Sequence, residues 1–557
     1  MPFLTCPRVK RAKESGGVYR FRELAVFMVG HDDGRLVRTL RVLLPALPVK
    51  HVSRDNANTV LSVASVYAAK NEYCYMRITE NGLEIRARDA MGVRNAAAIL
   101  AQIVRREGED FLLPCGSVED WPDASYRAMM LESSGRAWLS MECIYRHIYE
   151  MGLARMNVLQ FHFMESPGCT IQLDCFPDLH GYGEENLKYT KDEIRAMIAY
   201  AEELGISVTP FVEVISHSVD FNVKAGVACE GDTLAHMFAV CVGREETFEK
   251  IELLLREVAE LFPDPVLHIG ADEYDMSAVT PLKAHWLECP HCRKMMAARG
   301  YTTLREVFLY AVERVNRIVN KLGKVTMLWN ADLEPGKLPA DFERNMVIHY
   351  YRPDNCLCSE KIFAVHPNGY VEDGFAVLNS HYHDTYMDFA RYFNPDRLAE
   401  WSYLDAPRIL PENRAAVIGG CCCAWEDWKH FSRTISPAIL CFADRLWNTE
   451  TPTRYDRAWM LLMTRLLFDG RLPADMNAFD VVGRPLPPSK NEEYFDKRFL
   501  FAPSAEMVRI KDALTVLADE GHLLAQAFLP ICDAAIAVRR EQEGTTVLRT
   551  DREEFDG

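Results

Sequence analysis

The chain has 557 residues, of which 49% are hydrophobic and 26% are charged, a composition typical of a globular protein. Its 63 basic and 80 acidic side chains give a formal net charge of −17, which disfavours nucleic acid and anionic membrane surfaces as partners. No apolar run predicts a transmembrane helix, and the first residues show no apolar stretch of signal-peptide type. The 17 cysteines do not follow a regular disulfide framework, so we expect a cytoplasmic location.

The first part of the chain predicts a small α+β accessory domain over residues 1–122. Segments rich in β-forming residues, Tyr73–Thr79 and Gly82–Ala87, flank a short turn and predict a hairpin. An apolar period of helical spacing then runs from Gly92 to Arg105.

Strand patterns alternate with helix patterns over residues 123–450. Eight strands are predicted, over Arg127–Ser133, Asn157–Phe163, Ser207–Val214, Val266–Asp272, Thr326–Asp332, Met346–Arg352, Ala376–His383 and Ala416–Trp425. The most regular helical patterns between them cover Met141–Gly152, Lys191–Leu204, Glu245–Leu261, Thr303–Leu322 and Pro437–Trp447. This alternation predicts an α/β fold with a (β/α)8 TIM barrel. A doubly wound sheet is the alternative, but no Gly-x-Gly-x-x-Gly opens a helix after a strand.

Residues 451–557 predict a helical C-terminal region. Helical patterns cover Arg457–Leu467, Ala505–Asp519 and Leu523–Glu541. Their apolar stripes are typical of internal packing, and a homodimer contact is the alternative.

Acidic, imidazole and aromatic side chains gather at the predicted carboxyl ends of the barrel strands, where such barrels keep their active sites. The fourth strand ends in His268-Ile-Gly-Ala-Asp272-Glu273, and two carboxylates at that position suit acid/base chemistry. A surface Asp-Glu pair is the alternative. Aromatic rings at the other strand ends predict a sugar pocket, whereas packing in the core is the alternative for any single ring. The side chains at the other strand ends include Glu165, Glu213, Asp332, Arg352, His381 and His383.

The motif at the fourth strand resembles the His-x-Gly-Gly-Asp-Glu of family 20 glycoside hydrolases, the exo-acting β-N-acetylhexosaminidases, with Ala271 replacing the second Gly. Tyr126–Glu132 resembles that family's opening strand. Met156–His162 resembles its Met-Asn-x-x-x-Trp-His segment with Phe replacing Trp, and Tyr189–His217 resembles the segment that ends in Pro-Gly-His. The resemblance spans about residues 70–450.

The resemblance implies a retaining hydrolase without a cofactor that removes terminal N-acetylglucosamine or N-acetylgalactosamine from glycans or glycoconjugates. Glu273 would protonate the departing oxygen, and we expect its pKa to be raised for that purpose. Asp272 would orient the substrate's 2-acetamido group, whose carbonyl attacks C1 in place of an enzyme nucleophile. The residues implied in substrate binding are Arg127, His162, His217, His268, Trp329, Tyr351, Tyr386, Trp425 and Asp427.

Among these residues the resemblance gives Tyr386 the acetamido oxygen, and Arg127 and Asp427 the outer hydroxyls. Tyr351 stands where the family usually has Trp, and Asp427 where it usually has Glu, so the choice between gluco and galacto sugars stays open. The alternatives are a relative that releases a disaccharide (a lacto-N-biosidase) or a modified hexosamine, and a non-catalytic carbohydrate-binding barrel.

Two cysteine pairs lie in predicted inserts on the active face of the barrel. Cys289 and Cys292 follow the fourth strand, and Cys356 and Cys358 follow the sixth. These four thiols could hold a tetrahedral zinc ion. Inert free thiols are the alternative.

Overall fold

The computed structural model describes residues 3–30, 34–134, 138–231, 233–280, 282–358, 363–387, 395–425 and 431–451, the helix Ser504–Asp519 and a few single positions between 459 and 540. Two sheets organise this part of the chain, the first between Arg11 and Asp120 and the second beginning at Tyr126.

The first sheet is mixed and has eight strands. In chain order they are Arg11–Phe21, Leu24–Val29, Val49–His51, Thr59–Val63, Cys74–Thr79, Gly82–Ala87, Arg105–Glu107 and Asp110–Asp120. Their spatial order is first, eighth, fifth, sixth, fourth, second, third, and the seventh strand pairs with the eighth. Helices Arg35–Leu43 and Ala90–Ile103 pack against this sheet. The predicted hairpin and helix of this region are confirmed.

The second sheet is a closed barrel of eight parallel strands, as predicted. The barrel strands, one to eight, are Tyr126–Glu132, Val158–Glu165, Ser207–Val212, Val266–His268, Val325–Trp329, Met346–Tyr350, Ala376–Asn379 and Val417–Ala424. The barrel closes because the eighth strand pairs in parallel with the first, from Gly419 opposite Tyr126 to Ala424 opposite Leu131. Two short strands pair with the carboxyl ends of barrel strands: Gly168–Cys169 with the second strand and Tyr386–Met387 with the eighth.

Helices lie in the connections between the barrel strands. The helices are Met141–Leu153, Lys191–Glu203, Val219–Lys224, Leu234–Phe238, Glu245–Leu261, Pro290–Arg299, Leu304–Lys321, Pro367–Glu372, Tyr382–Thr385, Pro395–Glu400 and Phe431–Trp447. Local chemistry explains why two of the predicted helices begin where they do. The Thr190 and Thr303 hydroxyls each accept from the backbone N–H of a glutamate three residues later, Glu193 or Glu306, and each threonine N–H donates to that glutamate's carboxylate.

Beyond the barrel, the structure describes the helix Ser504–Asp519, which agrees with the helix predicted over Ala505–Asp519. Most of the residues in the helices predicted over 457–467 and 523–541 lie outside the described residues. In the part of the chain that is described, every helix is too short or too polar to cross a bilayer.

A buried ion pair joins the first sheet to the amino end of the barrel. Arg127 lies near the start of the first barrel strand, and its guanidinium binds Glu72 at 2.7 and 3.0 Å and the backbone carbonyls of Ala124 and Arg155. Its side chain is only 1% exposed and stacks over Trp447. The prediction that Arg127 binds sugar hydroxyls is therefore wrong, because the residue lies at the opposite end of the strand from the barrel mouth and is fully engaged there.

Removing the charge of Glu72 should destabilise the protein strongly. Glu72→Gln leaves the buried Arg127 guanidinium without its counter-charge, and breaking a buried pair in this way costs about 3–5 kcal/mol. The free energy of unfolding from urea titration measures the loss. Glu84→Gln is the matched control, because Glu84 pairs with Arg86 on the surface, where such pairs contribute less than about 1 kcal/mol. Equal destabilisation by the two substitutions would contradict the role given to the buried pair.

Candidate active site

The acid pair Asp272-Glu273 lies on a tight turn. The fourth barrel strand ends at His268, four residues earlier than predicted. Gly270, Ala271 and Glu273 then adopt positive φ angles of 64°, 65° and 53°. This left-handed backbone breaks the strand alternation that would have sent the two acids to opposite faces. Both carboxylates instead converge with His217, and the ligand atoms of all three lie within 4.8 Å of one another.

Glycine is required at the first position of this turn. A Cβ on Gly270 would overlap the carboxylate of Glu213, which comes from the third barrel strand's end and accepts a hydrogen bond from the Ala271 N–H at 3.1 Å. The close approach thereby anchors the turn to the neighbouring strand. The Cβ of Ala271 is accommodated at the next position, but its left-handed backbone costs about 1–2 kcal/mol relative to a right-handed one.

Three side chains hold the carboxylate of Glu273. Arg352 Nη1 donates to Oε1 at 2.8 Å, the Tyr351 hydroxyl donates to the same oxygen at 3.1 Å, and His217 Nε2 lies 3.5 Å from Oε2. Burial by itself would raise the pKa of Glu273, but these hydrogen bonds and positive charges outweigh it and lower the pKa below its ordinary value. The expectation of a raised pKa for Glu273 is wrong for this geometry.

Asp272 has the opposite electrostatic environment. Burial, together with the negative charges of Glu273 and Glu165, outweighs the attraction of His217 and raises the pKa of Asp272 to about 7. Its Oδ1 atom is buried, and no group among the described residues donates a hydrogen bond to it. The hydroxyl of Ser216 holds the backbone carbonyl of Asp272 in place. Oδ1 is thus held in a fixed position and can still accept a hydrogen bond from the N–H of a ligand.

His217 bridges the acids of the site. Its Nδ1 lies 3.8 Å from Glu165 Oε1, while the ring contacts Phe238 edge-on at 5.0 Å. Burial lowers the pKa of His217, yet the close contact with the Glu273 carboxylate and the surrounding negative charges raise it to about 9. The imidazolium therefore stays charged at neutral pH and orients Glu273. Its predicted contact with a substrate stays a prediction.

Four of the predicted aromatic residues form one wall beside the acid pair. Trp329 lies 5.0 Å from the ring of Tyr351 and 6.1 Å from that of Trp425, and the ring of Tyr386 stacks on Tyr351 at 6.0 Å with an interplanar angle of 9°. The indole N–H of Trp329 is buried and finds no acceptor among the described residues. This wall (Trp329, Tyr351, Tyr386 and Trp425) can cover the apolar face of a pyranose and still offer polar atoms.

A buried histidine relay supports the wall from below. The Gly270 N–H donates to His268 Nδ1 at 3.0 Å, so His268 carries its proton on Nε2 and donates to His349 Nδ1 at 3.1 Å. His349 in turn contacts the Ser380 hydroxyl at 2.6 Å. Burial lowers the pKa of both rings well below the ordinary value and keeps them neutral. The prediction that His268 binds the substrate is wrong, because both of its ring nitrogens are used within the protein.

The two remaining predicted substrate contacts differ in what the structure shows of them. His162 is buried in the barrel, stacked on Phe211 at 4.0 Å and edge-on to Trp425 at 5.3 Å. It thus positions the wall from beneath, and its direct contact with a substrate stays a prediction. Asp427 lies outside the described residues.

The sequence places six further acidic and basic side chains at strand ends without indicating a role, and four of them take part in the site. Arg352 holds Glu273, and Glu213 anchors the turn. Glu165 lies beside His217, and Asp332 accepts a hydrogen bond from the Glu273 backbone while burial and the acid pair raise its pKa to about 8. Position at a strand end was the only signal, and it does not say which acids and bases touch.

The zinc site predicted from two cysteine pairs is wrong in its membership. Cys356 is exposed and accepts a hydrogen bond from Arg352, and Cys358 lies against Asp275 with a sulfur–oxygen distance of 3.4 Å. Cys289 and Cys292 are buried elsewhere, among two other cysteines. The spacing of cysteines along the chain identifies pairs that are close in sequence, but it does not identify the distant loop that supplies the other two sulfurs.

Comparisons with known proteins agree with this geometry. The family model described as "Glycosyl hydrolase family 20, catalytic domain" matches residues 125–450. A beta-hexosaminidase of Vibrio furnissii is 25% identical over 426 residues, which cover 68% of this chain and 65% of that protein. A beta-hexosaminidase of Porphyromonas gingivalis is 26% identical over 310 residues, which cover 50% of this chain and 38% of that protein.

In three dimensions the fold is similar to that of a beta-N-acetylhexosaminidase from Bacteroides fragilis, with a TM-score of 0.72 and 20% identity. The match covers 84% of this chain and 96% of that one. The chain spans less than two thirds of the length of the two curated relatives above. The family match itself covers more than half of this chain and includes the acid pair and every barrel strand, so the chain belongs to glycosyl hydrolase family 20.

Proposed function

We propose that the protein is a retaining exo-β-N-acetylhexosaminidase that removes terminal N-acetylglucosamine or N-acetylgalactosamine from glycans or glycoconjugates. The observation that carries the proposal is the buried Oδ1 of Asp272, which lies next to Glu273 and beside the aromatic wall and accepts no hydrogen bond from the described residues. An acceptor so placed suits the N–H of an acetamido group. The curated relatives named beta-hexosaminidases support the same activity.

In the proposed first step the substrate supplies its own nucleophile. The acetamido carbonyl oxygen attacks C1, the bond from C1 to the glycosidic oxygen breaks, and Glu273 transfers its proton to that oxygen. Asp272 accepts the acetamido N–H and stabilises the oxazolinium ion, while Tyr386 donates to the acetamido oxygen. Because the nucleophile belongs to the substrate, the reaction needs no cofactor.

Water completes the proposed reaction. Glu273, now a carboxylate, takes a proton from the water that attacks C1, and the acetamido group reforms. Each step inverts C1, so the sugar leaves with its original configuration. The cation formed in between lies beside two carboxylates, and the wall excludes water from its other face.

Substrate binding itself supplies the protonated acid in this proposal. Before substrate binds, His217 and Arg352 favour an ionised Glu273, and burial gives Asp272 the higher pKa. An acetamido N–H on Oδ1 stabilises the ionised form of Asp272, and the charge of Asp272 then raises the pKa of its neighbour. The proton of the coupled pair thereby moves to Glu273, the residue that faces the departing oxygen.

An activity panel tests the proposed function. We expect release of p-nitrophenol from the N-acetyl-β-glucosaminide or N-acetyl-β-galactosaminide, and competitive inhibition by N-acetylglucosamine thiazoline, which mimics the cyclised acetamide. Release from the lacto-N-bioside alone would replace the proposal with a disaccharide-releasing enzyme. Binding of N-acetylglucosamine without turnover of any of the three substrates would replace it with a carbohydrate-binding barrel.

We also propose a cytoplasmic location. None of the 17 cysteines forms a disulfide in the described part of the chain, and Cys356 is exposed as a free thiol. Free thiols are typical of reducing compartments. Fractionation of the source cells with an antibody to the chain tests the location, and recovery in the secreted fraction would overturn it.

A further inference from the structure

Four buried cysteines come together away from the acid pair. Cys229 Sγ lies 3.9 Å from Cys292 Sγ, and Cys241 Sγ lies 3.7 Å from the sulfurs of both Cys289 and Cys292. All four sulfurs lie within 4.8 Å of one another, and all four residues are buried. We propose that this four-cysteine cluster binds one structural zinc ion.

The sulfur spacing is that of a tetrahedral metal site. Zinc–sulfur bonds of about 2.3 Å in a tetrahedron place neighbouring sulfurs about 3.8 Å apart, close to the observed spacing. A pair of disulfides explains the arrangement less well. A disulfide needs two sulfurs about 2.05 Å apart, and Cys241 is equidistant from two partners. Four thiolate ligands in a closed tetrahedron select zinc among the common divalent ions.

Two loops supply the cluster, one after the third barrel strand and one after the fourth. In the first loop a bridge between Ala228 and Val240 brings the positions just before Cys229 and Cys241 side by side. In the second loop Cys289 caps the helix Pro290–Arg299, whose first turn carries Cys292. This Cys-x-x-Cys at a helix start presents two sulfurs to the same point, a spacing common in structural zinc sites.

Gly243 permits the two loops to approach. A Cβ at this position would overlap the backbone at His291 and Cys292, so only glycine allows the segment after Cys241 to lie against the start of the helix. The Trp286 indole N–H also donates across the two loops to the Val240 carbonyl at 2.7 Å. The backbone is therefore shaped to hold the sulfurs together.

The cluster joins the two loops that position the acids. The first loop carries Phe238, which packs on His217. The second loop begins at Tyr274, the residue after Glu273, and the Tyr274 ring stacks on Trp286 at 5.7 Å. Zinc in the cluster would stiffen both contacts, so its cysteines are positioning residues. The zinc proposal does not depend on the proposed activity, because metal content can be measured on an inactive protein.

Metal analysis of the full chain without an affinity tag tests the proposal. We expect about one zinc per chain by elemental analysis, released when a mercurial reagent modifies the thiols. Cys241→Ser and Cys292→Ser should each lower the zinc content at least severalfold. Cys169→Ser is the matched control, because Cys169 is buried but lies outside the cluster, and it should keep the zinc.

A second measurement, on the wild-type protein, tests the proposal even if the cysteine variants fail to fold. Treating the wild-type protein with a strong zinc chelator should lower its unfolding temperature by roughly 5 °C or more, and zinc should restore it. Gly243→Ala should weaken zinc retention during chelation without removing any ligand. A wild-type chain with less than about 0.1 zinc per chain would overturn the proposal. Iron in place of zinc, or a thiol count short by four under denaturing conditions, would also overturn it.

Discussion

Glu273→Gln is expected to lower kcat for an unactivated N-acetylglucosaminide by about 10²–10⁴-fold, because the amide cannot give a proton to the departing oxygen. The loss should be much smaller with the p-nitrophenyl glycoside, since p-nitrophenolate leaves without protonation. The ratio of the two losses, measured from steady-state kinetics at one pH, therefore reports proton donation directly. KM should change little, because Gln keeps the shape of the side chain and its contacts with Tyr351.

The matched control for this substitution is Glu288→Gln. Glu288 belongs to the same insert after the fourth barrel strand, but its side chain is 60% exposed. Glu288→Gln should leave kcat for both substrates within about twofold of the wild type, as expected for a surface substitution. If Glu273→Gln slows both substrates equally, Glu273 orients the substrate without moving the proton, and the mechanism proposed above must be abandoned.

Asp272→Asn is expected to lower kcat/KM by about 10²–10³-fold, comparable to removing one preorganised group that stabilises a developing charge. Only the ionised carboxylate both accepts the acetamido N–H and stabilises the oxazolinium cation. The proton that Glu273 donates is held by Asp272 before the substrate binds, so the wild-type kcat/KM should fall as pH rises through about 7, the raised pKa of Asp272. The Asn variant holds no such proton, so its residual kcat/KM should lack this basic limb.

Stability should change in the opposite direction in the same variant. The folded-state pKa of Asp272 is raised above the unfolded value, so its contribution to stability is present at low pH and is lost as pH rises toward 7 and above. Asp272→Asn should accordingly be more stable than the wild type at pH 8, with the difference shrinking toward pH 4. Urea unfolding at both pH values measures this change. A basic limb near pH 7 that persists in the variant, together with unchanged stability, would contradict the assignment of the raised pKa to Asp272.

The arrangement of the barrel could be predicted because its signals are local. Each strand and its neighbouring helix have their own apolar period. Capping residues such as Thr190 and Thr303 mark helix starts by motifs only four residues long. The aromatic wall was predicted as well, because the carboxyl ends of parallel strands meet at one mouth.

The predictions that failed depend on contacts between distant segments. Arg127 is paired with Glu72, which lies 55 residues earlier in the turn before a strand of the first sheet, and no local pattern indicates that pair. The partners of Cys289 and Cys292 come from a loop some 50 to 60 residues upstream. The lowered pKa of Glu273 similarly follows from His217 on another strand's loop and from Arg352, which is 79 residues away.

The turn at the acid pair is an intermediate case. Gly270 signals a special backbone, but Ala271 and Glu273 share its left-handed conformation although their side chains disfavour it. Tertiary contacts from Glu213 and Ser216 impose that conformation. Strand alternation was a sound expectation for a free strand end, and it failed where neighbouring strands determine the backbone.

The junction between the two sheets has a consequence for synthesis on the ribosome. Asp120, fully buried at the end of the first sheet, is bound by Arg155 and by the indole N–H of Trp447, which lies 327 residues later. At about 5–20 residues per second, Trp447 emerges roughly 15–65 s after Asp120. During that interval the Asp120 carboxylate is bound by the Lys10 N–H and, once it has emerged, by Arg155, but it lacks the indole of Trp447. The contacts at the end of the first sheet's last strand are therefore completed only when the barrel closes. The nascent chain is therefore most vulnerable to aggregation and proteolysis late in translation, and closure of the barrel completes both sheets together.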